Sequence, residues 1–237
     1  MKKMKYLLCS IIPIIGIAFQ AAGQNNEGGM EDMFVHPFLS HMALPDKPGE
    51  MSLRLTPFQQ REDSLIDQDL SFHIEAGILP GLGIHIRSDG IKTSPYSEVM
   101  LMYTPLHDVA LHNGLAVFGQ VSIPTGPTGS NALKYLFGLS GRLTIPKIMV
   151  MDANTHVNPA DKMAEYESSF VFKASQMLYP ELELRGEITD EATSLYSLEG
   201  LKFRIADETA IGVAVQVPIS KEREYDIQTL FTLGMAF

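Results

Sequence analysis

The sequence predicts an all-β protein, a transmembrane antiparallel up-and-down β-barrel of about 12 strands. Apolar residues recur at every second position in pieces of roughly ten residues, separated by clusters of Pro, Gly, Asp, Asn and Ser. Hydrophobic residues make up 45% of the chain, yet beyond the amino terminus no segment offers the ~18 continuous apolar residues of a spanning helix. The chain also ends on an aromatic residue, Phe237, in register with a one-sided apolar stripe.

The amino terminus has the organisation of a secretory signal peptide. A lysine-rich start precedes an apolar stretch from Tyr6 to Phe19, and small residues lead up to Gly23, after which we expect cleavage. The apolar stretch is shorter than the ~20 residues that a membrane anchor needs. The only cysteine, Cys9, lies in the part to be removed, so disulfides are not expected to stabilise the exported protein. We therefore expect a signal peptide over 1–23, a flexible periplasmic leader over 24–48 and an outer-membrane barrel over 49–237.

The alternating pieces are the predicted strands. In one of them, Leu70, Phe72 and Ile74 share a face, whereas His73 and Glu75 share the opposite face. In chain order the pieces are EMSLRL, DLSFHIEAGI, LGIHIRSDG, SEVMLMYT, GLAVFGQVSIP, ALKYLFGLSGRLTIP, KIMVMDANTHV, EYESSFVFKAS, LYPELELRGEI, SLYSLEGLKFRIAD, TAIGVAVQVPI and EYDIQTLFTLGMAF. An even number of antiparallel strands brings both chain ends to the same side of a membrane, as in bacterial outer-membrane barrels.

The connections between the pieces tend to alternate in length. LPG, TIPK, SQM and ADE are short, whereas QQREDSLIDQ, SDGIKTSPY and NPADKMA are longer and polar. Short periplasmic turns and longer external loops are typical of outer-membrane barrels. PLHDVALHN is a long connection where this pattern predicts a short one.

A soluble β-sandwich or a lipocalin-like cup would show the same alternation, with its apolar face turned inward. Two features favour the membrane barrel over this alternative. One is the predicted signal peptide. The other is Phe237, because aromatic residues at strand ends form the interfacial girdles of lipid-facing barrels.

The final strand resembles the carboxy-terminal signature of bacterial outer-membrane proteins, an amphipathic strand ending in Phe. The matching residues are Tyr225, Phe231, Leu233, Met235 and Phe237. The resemblance implies that these residues form the signal read by the barrel-assembly machinery. It also implies that the assembly machinery and outer-membrane lipids are partners of the chain.

The carboxy-terminal half, together with VFGQVSIPTGPTG, resembles the meta-pathway phenol-degradation family of outer-membrane transporters. The shared features are GLKFRIAD, GVAVQVPI, REYD, an earlier PTG and the terminal Phe. They cover roughly half of the mature chain and mostly encode strands and turns. The resemblance implies a porin-like barrel that passes small aromatic or hydrophobic solutes, and it brings no catalytic residues.

The leader contains a candidate metal site. Met33, His36, His41 and Met42 lie close together before the first strand. Thioether and imidazole ligands suit copper or zinc, and the segment resembles the His/Met-bearing leaders of barrels linked to metal efflux. The alternative is that Met and His simply occur in a periplasmic tail, because their spacing is not that of a compact ligand motif.

Polar residues on the opposite face of the strands are expected to line the lumen. The candidates are His73, Glu75, His85, Arg87, Glu183, Arg185, Lys202 and Arg204. The first four lie on neighbouring strands and suggest an inter-strand charge ladder, a metal site or, with Ser71, a lipid-hydrolase constellation. Neither a Gly-x-Ser-x-Gly elbow nor a His-Glu-x-x-His motif is present, so a non-enzymatic barrel is expected.

The net charge of −10 does not suit nucleic-acid binding. It fits acidic external loops and a cation-tolerant pore. The sequence therefore predicts a passive channel or transporter for small solutes, without a resident cofactor. A copper- or zinc-binding barrel linked to efflux and an outer-membrane lipid hydrolase are the alternative functions.

Overall fold

The computed structural model describes residues 36–41, 44–108, 111–126 and 132–237. They form a closed antiparallel β-barrel, and β1 pairs with β12 to close it. The twelve strands are β1 (Met51–Glu62), β2 (Leu65–Leu79), β3 (Leu82–Ser88), β4 (Tyr96–Asp108), β5 (Asn113–Pro124), β6 (Lys134–Ile145), β7 (Met149–Asn158), β8 (Met163–Phe172), β9 (Leu178–Ile188), β10 (Thr193–Ala206), β11 (Thr209–Pro218) and β12 (Ile227–Ala236). The predicted fold class is confirmed. Within these described ranges, no helix is long and apolar enough to cross a membrane.

The apolar stripes of the strands face outward and the polar stripes face the lumen. On β11, Val213 and Val215 are 40% and 39% exposed, whereas Gln216 on the other face is 1% exposed. Large outward side chains elsewhere include Leu101, Tyr103, Tyr135, Phe137, Phe203 and Phe231. A water-soluble barrel turns its apolar side chains inward, so a soluble sandwich or cup does not fit this arrangement. The apolar outer surface is what contact with membrane hydrocarbon requires.

The two ends of the barrel differ in their connections. The turns at 80–81, 146–148 and 207–208 lie at the end where β1 begins and β12 finishes, as the backbone pairing of Met51 with Phe237 shows. The opposite end carries three longer connections, 89–95, 125–133 and 219–226, and three shorter ones, 63–64, 159–162 and 189–192. The predicted turns LPG, TIPK, SQM and ADE lie at the end of the chain termini, whereas the predicted long loop NPADKMA is wrong, because only residues 159–162 separate β7 from β8.

The predicted loop QQREDSLIDQ is wrong. Both flanking strands continue through it, with Gln59 opposite Gln68 and Glu62 opposite Leu65, and the chain turns at Asp63 and Ser64. The side-chain amide of Gln68 donates a hydrogen bond to Gln59 at 3.0 Å. Strand pairing needs backbone hydrogen bonds rather than an apolar stripe, so polar sequence can extend a hairpin.

The connection PLHDVALHN is also shorter than the sequence suggests. Strand β4 continues to Asp108 and β5 begins at Asn113. The register between the two strands shifts between Tyr103 and Leu106. Pro105 lies at this shift, where its missing N–H is tolerated because a bulge interrupts the ladder.

Candidate functional site

Of the described residues before β1, residues 36–41 and 44–46 lie buried or half-buried inside the barrel, and residues 47–50 are exposed. We call residues 36–41 and 44–50 the inner segment. The guanidinium of Arg54 on β1 donates to the Pro37 carbonyl, and the Asn154 amide on β7 donates to the His41 carbonyl at 2.9 Å. Strands β1 and β7 are diametrically opposite in a twelve-strand barrel, so the segment crosses the lumen.

One carboxylate on β9 holds the centre of the inner segment. Glu183 accepts hydrogen bonds from the backbone N–H groups of Phe38, Leu39 and Ser40, the last two at 3.0 Å, and from the Ser40 hydroxyl at 2.9 Å. Hydrogen bonds to an ionised group are roughly twice as strong as neutral ones. Glu183 therefore anchors three consecutive residues to the wall.

The ring of Phe38 fills a recess in the lumen wall. It packs against Phe58, Leu198, Ala214 and Leu230, which come from four different strands. The recess exists because β10 and β11 carry glycines there. A Cβ at Gly200 would lie 2.4 Å from the Phe38 ring, and one at Gly212 would lie 2.8 Å from it. The Lys202 ammonium lies 4.2 Å from the ring centroid, which adds a cation–π contact.

Residues 44–50 follow the wall of β2, β3 and β5 in the same manner. An added Cβ would lie 2.3 Å from Leu44 at Gly114, 2.4 Å from Pro45 at Gly83, and 2.2 Å from two backbone carbonyls at Gly77. Gly77 also exchanges backbone hydrogen bonds with Gly49 and Glu50 at 2.9 and 3.0 Å. Glycine thus allows close backbone approach along this path.

This location corrects the expected periplasmic position of the leader for its described residues. A polar lumen supplies partners for backbone N–H and C=O groups, so a segment without secondary structure can lie there with its hydrogen bonds satisfied. The boundaries of the signal peptide and of the leader stay predictions, because residues 1–35 lie outside the described ranges.

All the predicted lumen residues have side chains on the inner face. Arg185 pairs with Glu167 at 3.1 Å, and Lys202 pairs with Glu181 at 3.3 Å. Arg204 lies 5.8 Å from the Tyr179 ring. The buried members are His73, Glu75, His85, Arg87, Glu183 and Lys202. Their influence on selectivity stays a prediction.

Ion pairs link neighbouring strands around the wall. Arg142 forms a two-point pair with Asp152 at 2.8 and 2.7 Å, and His156 lies 3.1 Å from Glu165. Arg87 contacts Glu98 on the next strand. Such cross-strand pairs stabilise a sheet and leave the lumen charged throughout.

The inner segment meets the His73–His85 pair on β2 and β3. His73 lies opposite Arg87 and Glu75 lies opposite His85 in the strand register. His41 of the inner segment lies beside both histidines, with ring centroids 5.4 Å from His73 and 6.1 Å from His85. One ring nitrogen from each histidine lies within 4.8 Å of the others.

The predicted metal site of the leader is only partly described. Met33 and Met42 lie outside the described residues. Nδ1 of His36 lies 3.8 Å from the Glu75 carboxylate, so His36 contacts the wall. His41 and the His73–His85 pair belong to separate predicted sites, and the structure brings these three residues together. The sequence does not predict this grouping, because no local spacing connects His41 of the leader to β2 and β3.

The hydrolase arrangement with Ser71 is not formed. Nδ1 of His73 contacts the Arg54 guanidinium, and its Nε2 lies 3.4 Å from Glu75. A general base for a serine nucleophile contacts the hydroxyl. His73 instead contacts two charged residues.

The predicted assembly signal lies on β12 and just beyond it, except for one residue. Phe231 and Phe237 are outward and exposed, and Leu233 and Met235 pair with Leu55 and Leu53 of β1. Tyr225 departs from the predicted stripe, because it precedes the strand and its hydroxyl donates to Gln216 in the lumen at 2.8 Å. Recognition by the assembly machinery stays a prediction.

Polar pockets remain on the two sides of the inner segment. A pocket of about 180 Å³ at the end opposite the chain termini is lined by Glu167, Arg185, Tyr196 and Tyr225. One of about 310 Å³ at the other end is lined by Gln176, Arg204 and Asp207. The inner segment thus lies between two polar pockets.

No family model and no curated protein match this chain, so membership of the phenol-degradation family is not confirmed. Solved structures of outer-membrane channels share its fold. The KdgM porin in complex with disordered oligogalacturonate aligns with a TM-score of 0.56 at 12% identity, covering 78% of this chain and 98% of the porin. An outer-membrane channel from Pseudomonas putida F1 gives 0.58 at 9% identity, covering 86% and 100%. The NanC porin gives 0.56 at 8% identity, covering 79% and 98%.

Proposed function

We propose that this chain is a bacterial outer-membrane channel through which small solutes pass passively, and that the inner segment closes the lumen until it is displaced. The observation that carries the proposal is a closed barrel with an apolar exterior and a charged interior. Fold likeness to porins supports it. The predicted signal peptide and the exposed outward rings of Phe231 and Phe237 support insertion into the outer membrane.

The solute class follows from the resemblance in the carboxy-terminal half, which suggests small aromatic or hydrophobic compounds. The lumen also favours solutes with a polar or charged group, because its wall carries both carboxylates and guanidinium groups. A small aromatic acid would meet Arg185 and Tyr196 in the pocket opposite the chain termini. No catalytic step is proposed, since the histidines of the lumen contact charged side chains or one another.

Liposome swelling tests the proposal. The full chain is refolded into liposomes and challenged with glucose, with 4-hydroxybenzoate and with a copper salt, and empty liposomes are the control. We expect slow swelling with the native chain and faster swelling with Gly200→Ala, which displaces Phe38. Swelling no faster than in empty liposomes for both proteins would contradict a channel.

A further inference from the structure

The His41, His73 and His85 rings form a buried cluster that joins the inner segment to the barrel wall. Their side chains are 1%, 3% and 1% exposed. The rings of His73 and His85 lie 5.5 Å apart, and both lie near His41. Histidines on two adjacent strands and on a crossing segment therefore converge from three separate parts of the chain.

Among the described residues, five of the six ring nitrogens of this cluster lack hydrogen-bond partners, and the sixth, Nδ1 of His73, contacts the Arg54 guanidinium. Within the described ranges, neither nitrogen of His41 or of His85 has one, and Nε2 of His73 has none. Buried polar groups in native proteins are almost always satisfied, so each exception requires an explanation. Five of the exceptions among the described residues lie in this cluster, and a bound ion would take one nitrogen from each ring.

A carboxylate lies beside two of the rings. Glu75 is 3.4 Å from Nε2 of His73 and 3.8 Å from Nδ1 of His85. Histidines that bind a metal commonly donate their other N–H to a carboxylate, which fixes the ring and raises its basicity. Glu75 lies next to both wall histidines, where small ring movements would bring it into hydrogen-bond contact, and its negative charge would offset a cation.

We propose that His41, His73 and His85 bind a late first-row transition-metal ion such as Zn²⁺ or Cu²⁺. Imidazole nitrogen suits these ions, whereas Mg²⁺ and Ca²⁺ require oxygen ligands. Metal–nitrogen distances of about 2.0–2.1 Å need the three nitrogens to move closer than their present separation within 4.8 Å. An ion bound through Nδ1 of His73 would replace its contact with Arg54.

A bound ion would link the inner segment to the barrel wall. His41 belongs to the inner segment and the other two ligands belong to β2 and β3, so the ion would tie the segment to the wall. This consequence for solute passage rests on the proposed channel function. The metal site itself does not, because its binding is measured without any transport.

Metal titration of the full chain, refolded in detergent and stripped with a chelator, tests the site. We expect one Zn²⁺ per barrel, and an affinity at least about tenfold lower in His73→Gln and in His85→Gln, since even outer-sphere changes cost about 10–100-fold. His156→Gln is the matched control, because His156 is a buried lumen histidine outside the cluster. It should bind as the native chain does, and Mg²⁺ should not bind.

Co²⁺ absorption provides a second measurement that does not depend on affinity. A change in the visible bands between the native chain and His41→Gln would place His41 among the ligands. Heat-dependent mobility in gels verifies that each variant is a folded barrel. The proposal is overturned if the native barrel binds no ion. It is also overturned if Zn²⁺ affinity is unchanged in folded His73→Gln and His85→Gln, which would place binding in the leader alone.

Discussion

The ring of Phe38 occupies the space that a side chain at Gly200 would need, with an added Cβ only 2.4 Å from the ring. Phe38 precedes the barrel and Gly200 lies in β10, so the contact joins distant parts of the chain. It fixes where the inner segment crosses the lumen.

Gly200→Ala should loosen the inner segment and increase solute flux. Overpacking typically costs about 1–3 kcal/mol. This corresponds to roughly a 5- to 150-fold change in the equilibrium between the inner segment bound in the lumen and the segment displaced from it. Liposome swelling measures the flux. Gly119→Ala is the control, because its added Cβ meets only the Phe137 ring at 3.9 Å. The same increase in both variants would show that packing against Phe38 is not the cause.

Charge substitutions should distinguish the two faces of the barrel. Val213→Lys places a charge on the outer face, at a cost of about 2–4 kcal/mol near the membrane midplane, and should reduce insertion. Arg185 lies in the lumen beside Glu167, so Arg185→Glu should leave a folded barrel with greater cation selectivity. Gel mobility reports insertion, and the reversal potential in a KCl gradient reports selectivity. Equal tolerance at both positions would contradict the assignment of faces.

Deletion of Phe237 should lower the yield of assembled barrel. Its N–H donates to the Met51 carbonyl at 2.8 Å and its own carbonyl accepts from the Met51 N–H at 3.2 Å, so the deletion removes a closing pair as well as the aromatic ring. Phe237→Ala keeps the backbone pair and separates the two effects. The folded fraction in outer-membrane preparations is the readout, and an unchanged yield in both variants would exclude an assembly role.

Flux should be slower at pH 5 than at pH 7.5. Burial, and then the nearby Glu75 carboxylate, raise the pKa of Asp46 from 3.8 to about 6. A raised pKa in the docked state means that protonation favours docking, so docking strengthens as the pH falls from about 6 towards 4. Asp46→Asn should remove this part of the pH dependence. A native pH profile that persists in Asp46→Asn would assign it to other groups.

The sequence predicted the fold because strand alternation is a local signal. The pairs Val213–Gln216 and Phe72–His73 could be placed on opposite faces without any knowledge of pairing. Local signals fail where polar residues extend a hairpin, as at Gln59 and Gln68.

The site was harder to predict because its contacts are distant in sequence. Phe38 packs against Gly200, and His41 lies beside His73 and His85, yet Gly200, His73 and His85 look like ordinary strand residues in the sequence. The sequence predicts a periplasmic leader because nothing in the composition of this segment points to Glu183, which anchors it.

Single-channel conductance of Glu183→Gln in planar bilayers tests most directly whether the inner segment closes this barrel. Neutralising Glu183 weakens the hydrogen bonds that hold Phe38, Leu39 and Ser40, whereas Glu187→Gln changes a lumen carboxylate that none of these bonds involves. We predict frequent, larger openings for Glu183→Gln and native behaviour for Glu187→Gln. Identical conductance in all three proteins would contradict the account.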